Sequence, residues 1–114
     1  PLKVLMCSND LNFTGGPLHQ YEIAVKLAKQ GTIKPIIFCP FEGPLREAYE
    51  QQGIEVIVRE HPLANIYTEA AYDEALQKLG EEIQQYNLDL IYANTLNNFF
   101  MVDCAQKLGI PSVW

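Results

Sequence analysis

A chain of 114 residues, 48% hydrophobic and 19% charged, is long enough for one domain whose core needs neither disulfides nor a structural metal, and too apolar to stay disordered. Its formal net charge of -6, with only eight scattered Lys and Arg, excludes a general affinity for nucleic acid or anionic lipid, because counterion release requires clustered cations. A local phosphate site stays open, since backbone amides bind anions without basic side chains.

In chain order, Lys3 to Ser8 is an apolar run without alternation, expected for a strand covered on both faces of a parallel sheet. Asn9 to Gly16 is a loop of turn formers, and Pro17 suits the first position of a helix from about Pro17 to Gln30. Leu18, Tyr21, Ala24, Val25 and Ala28 share one face of that helix, and Gly31 stops it. Pro35 to Cys39 reads as the second strand, with Pro35 tolerated at its start, and Pro40 to Gly43 as a turn into a short helix from Pro44. Gly53 ends this helix before a third strand, Ile54 to Val58.

Arg59 to Glu69 reads as a polar loop containing His61-Pro62, to which no chemistry is assigned. A helix follows from about Ala70 to Tyr86, turning Tyr72, Ala75, Leu76, Leu79 and Ile83 inward, with Gly80 weakening it slightly. Leu88 to Ala93 is the fourth strand, Asn94 to Asn98 a polar turn, and Phe99 to Leu108 a helix stopped by Gly109. Ser112-Val113-Trp114 opens the fifth strand. Alternating strands and helices imply right-handed crossovers, hence a Rossmann-like doubly wound parallel α/β sheet of order 3-2-1-4-5 with helices on both faces.

In such sheets ligands bind beyond the carboxyl ends of the strands where the winding reverses, here between the first and fourth. That selects the loops Asn9 to Gly16 and Asn94 to Asn98. Gly15 and Gly16 either serve a tight turn requiring positive φ or leave amides and a helix dipole open to a phosphate or sugar hydroxyl. Asn94 and Thr95 suit hydroxyl-rich ligands, with helix capping as the alternative for the neighbouring Asn97 and Asn98. Asp10 is either a base or hydroxyl ligand or the head of an Asx-turn. His19 faces the cleft or is an ordinary exposed helical residue.

Cys7, Cys39 and Cys104 lack CxxC or Cys/His spacing and read as reduced, buried side chains. No metal-ligand spacing is present, no cofactor is expected, and the Tyr and Phe residues, Phe99-Phe100 among them, read as core rather than as stacking platforms. With no secretory leader and no apolar run of membrane-spanning length, a cytoplasmic protein is expected, with peripheral contact at the inner membrane face left open.

Four features together resemble the N-terminal domain of a GT-B glycosyltransferase of the family 4 (group 1) type. They are the Lys3-Val4-Leu5-Met6 strand; Thr14-Gly15-Gly16 leading into Ala24-Val25-Lys26-Leu27-Ala28; Gly43-Pro44-Leu45 with Gly53-Ile54-Glu55-Val56; and Asp89 to Thr95 followed by Gly109 to Val113. The resemblance implies transfer of a sugar from a nucleotide diphosphate sugar to a carbohydrate or lipid-linked acceptor, usually with retention and without a metal. It makes residues 1–114 the acceptor-side lobe of a longer enzyme, as the start at Pro1 and the end at Trp114 within an apolar run also lead us to expect. It brings Gly15 and Gly16 to the donor diphosphate or reaction centre and assigns most donor contacts to a second lobe, without which the fragment is expected to be inactive. Many relatives carry His where this chain has Asn94, and Gly31-Thr32-Ile33-Lys34 departs from the family's Gly-His-x-Val. Asn is no general base, so the catalytic residues stay unassigned.

Two other readings compete. A nucleotide- or dinucleotide-binding domain of an oxidoreductase or epimerase uses the same sheet, but no G-x-G-x-x-G follows the first strand. A signalling or sugar-binding module with a modifiable Asp10 lacks an evident acidic pair and Lys partner.

Overall fold

Four consecutive buried residues, Val4 to Cys7, put the first strand where both of its faces are covered. In the computed structural model, which describes residues 1–59, 68–93 and 99–113, that strand is the centre of a five-stranded sheet. The elements are β1 (Leu2–Cys7), α1 (Gly15–Gln30), β2 (Ile33–Cys39), α2 (Leu45–Gln51), β3 (Glu55–Val58), α3 (Glu69–Gln84), β4 (Leu90–Ala93), α4 (Phe99–Leu108) and β5 (Ser112–Val113). Every strand pair is parallel and the order is β3-β2-β1-β4-β5, as the alternation of elements predicted.

The period-two geometry of β1 sorts its side chains between two cores. Val4 and Met6 pack with Ala24, Leu45 and Tyr49 under α1 and α2. Leu5 and Cys7 pack with Leu76, Ile83, Phe100 and Cys104 under α3 and α4. The chain therefore winds one way from β1 to β3 and the other way from β1 to β5, which sets the reversal at the β1–β4 pair, where Cys7 lies beside Ala93.

Several boundaries move for local reasons. β2 begins two residues before Pro35, which is buried inside the strand opposite Val4. Its nitrogen faces β3, whose pairing starts only at Ile36, so the missing donor costs no ladder bond. β4 begins at Leu90 because Asp89 stands in for a strand residue: its carboxylate accepts the Lys3 N–H and its own N–H donates to the Lys3 carbonyl, both at 2.8 Å. α3 starts one residue early on a Thr68 cap, whose hydroxyl accepts the Ala71 N–H at 3.1 Å, and ends before Tyr86. Gly80 contributes more than a weakened helix. It is buried where α4 approaches, with Leu108 and Cys104 at 3.5 and 3.7 Å from the place of a Cβ.

All three cysteines are free and buried, as their spacing indicated. Burial pushes the thiols of Cys7 and Cys39 up and that of Cys104 to about 11, so they are poor nucleophiles. Among the described residues no helix is long and apolar enough to cross a membrane. The loop expected at His61-Pro62, the turn Asn94 to Asn98 and Trp114 lie outside the described residues.

Candidate functional site

The loop between β1 and α1 is built by short-range hydrogen bonds. Ser8, buried at the end of β1, donates its N–H to the Phe38 carbonyl and its hydroxyl to the Asp10 carbonyl, both at 2.8 Å. Asn12 N–H donates to the Asp10 carboxylate at 2.9 Å, so Asp10 heads an Asx-turn, one of its two expected roles. Thr14 N–H then donates to the Asn12 carbonyl, and Leu11 is fully buried beneath the loop.

This turn delivers the chain to α1 at Gly15, two residues earlier than expected from Pro17. Among the described residues the positive-φ glycines are Gly31, Gly53 and Gly109, so the turn that would have required positive φ at Gly15 or Gly16 is not formed. Both glycines lie in the first turn of the helix and are exposed, and a Cβ added to either would meet nothing within 4 Å.

The first helical hydrogen bond belongs to Leu18, whose N–H donates to the Thr14 carbonyl at 2.9 Å. Pro17 has no N–H. Among the described residues no acceptor meets the N–H of Gly15 or Gly16, Thr14 makes no side-chain cap, and no acidic residue sits in the first turn. Two adjacent donors at the positive end of a 16-residue helix thus lack an acceptor among the described residues, at the carboxyl rim of the sheet. The arrangement can take an anionic or hydroxyl oxygen without any basic side chain.

From this end a groove of about 480 Å³ runs down the flank of α1. Gly16, His19, Gln20, Ile23 and Leu27 form its wall, and Val4 and Met6 of β1 with Leu90 and Tyr92 of β4 contribute its floor. His19 is exposed and lines the groove beside Gly16, so the structure brings these two expected residues together. Gly15 adjoins them, whereas Asp10 belongs to the preceding turn. Asn94 and Thr95 lie outside the described residues; β4 is described as far as Ala93.

Sequence reading passed over Gln20. It is buried on α1 and donates through Nε2 to the Cys7 carbonyl at 3.2 Å, tying the first turns of the helix to the end of β1. Its signal was a polar residue one turn before Ala24, on the inward stripe. The reading of the aromatics as core also requires correction. Phe100 is buried, but Phe13 and Phe41 are 60% and 61% exposed, because each stands on a loop beyond the end of its strand, where no helix covers it.

No protein-family model matches the chain, and no curated protein sequence does. Solved structures do. HepE from Anabaena, in complex with UDP-glucose, superposes with a TM-score of 0.71 at 18% identity over 98% of this chain and 28% of that one. A glycosyltransferase from Rickettsia africae gives 0.70 at 20% identity over 97% of this chain and 28% of that one. The chain shares its Rossmann-like fold with part of each of these chains. The same sheet also matches the C-terminal domain of the PF1911 hydrogenase from Pyrococcus furiosus, with a TM-score of 0.60 at 19% identity over 98% of this chain and 89% of that one. Likeness at these identities establishes the fold, and the site must supply the function. The chain spans 28% of the length of the two glycosyltransferases.

Proposed function

We propose that the chain is the acceptor-side lobe of a glycosyltransferase of the family 4 type, which moves a sugar from a nucleotide diphosphate sugar to an acceptor in a cleft completed by a second lobe. The observation that carries this reading is the open amino terminus of α1. Among the described residues the amides of Gly15 and Gly16 have no acceptor, and neither backbone conformation nor packing requires either glycine. A diphosphate needs such a surface: close backbone approach, donors already oriented, and a fixed positive dipole.

In this role the amides of Gly15 and Gly16 bind a diphosphate oxygen and stabilise the negative charge that grows on the leaving nucleoside diphosphate as the sugar bond breaks. His19 lines the groove next to them and orients the bound sugar through hydrogen bonds, while Gln20 holds the helix end through the Cys7 carbonyl. Asp10 shapes the loop, and Asn94 and Thr95 are proposed to contact sugar hydroxyls from the neighbouring strand end. The glycosyltransferase neighbours, one of them holding UDP-glucose, support the reading.

The test is thermal unfolding of the full-length protein with UDP-, GDP- and ADP-sugars, NAD and FMN. A ligand that binds only the native state raises the melting temperature. A rise with one class of nucleotide sugar is expected. A rise only with NAD or FMN would overturn the proposal in favour of the oxidoreductase or epimerase reading.

A further inference from the structure

We draw no further inference here: the strongest candidate, the apolar stretch of the groove between Ile23 and Leu27 of α1 and Leu90 and Tyr92 of β4, has exposed side chains at Ile23 and Tyr92, but nothing in the structure shows what covers it.

Discussion

Gly16 and Gly43 stand at the same rim of the sheet and use the missing side chain in opposite ways. At Gly43 the space is filled, with the Leu11 backbone where a Cβ would be, and the glycine locks two loops together. At Gly16 a Cβ would meet nothing within 4 Å, φ is not positive, and nothing among the described residues requires glycine. A glycine held by packing speaks of folding. One without a structural reason among the described residues, at a helix end, is the one we propose for a ligand.

The sharpest way to break this comparison is Gly16→Val. Its side chain would occupy the space before the amides and is expected to lower transfer by the full-length protein about 100-fold or more, while denaturant unfolding stays close to wild type. Retained activity would remove the glycine pair from the site. Gly43→Ala should do the reverse, costing about 2–3 kcal/mol of stability through overpacking against Leu11, as read from the urea midpoint and slope. Gln20→Leu removes the bond to the Cys7 carbonyl and is expected to cost about 1–2 kcal/mol, with a larger effect on kcat than on saccharide binding if Gln20 positions the helix end. Thr68→Ala, at the start of α3 on the other face of the sheet from α1, loses only a helix cap, about 1 kcal/mol, and should leave transfer unchanged. The smallest effect is also the most telling. Gly16→Ala should raise stability by about 0.4–1 kcal/mol, because a helical glycine with free space restricts the unfolded chain when replaced, and should still impair transfer. A fall in stability would show that the position is structural after all.

Much of the fold was legible because its signals are local. The unbroken apolar runs of β1 and β2, the stripe Leu18, Tyr21, Ala24, Val25 and Ala28, and the stops at Gly31, Gly53 and Gly109 each report a segment's own burial or backbone geometry. Boundaries slipped where a long-range partner decided. Asp89 shortened β4 by bonding to Lys3, and the late start of β3 freed Pro35 to sit inside β2. Within the site, Asp10 and His19 were each left with two roles. The Asn12 N–H two residues on makes Asp10 the head of an Asx-turn, whereas His19, exposed and beside Gly16 in the groove, fits both of its readings. Gln20 was not legible, because its partner is a carbonyl 13 residues away. Phe13 and Phe41 were misread because the aromatics were taken to lie at helical or strand spacing, whereas these two stand on loops.

By itself, then, the sequence determined the alternation of strands and helices and the sheet order that right-handed crossovers impose on it. Hydrophobic period and turn chemistry carry that information residue by residue. Only the tertiary structure decided which glycines are filled and which are open, which amides lack partners, and which rings face solvent. Each of those depends on what the rest of the chain brings, or fails to bring, within a few ångströms of one atom.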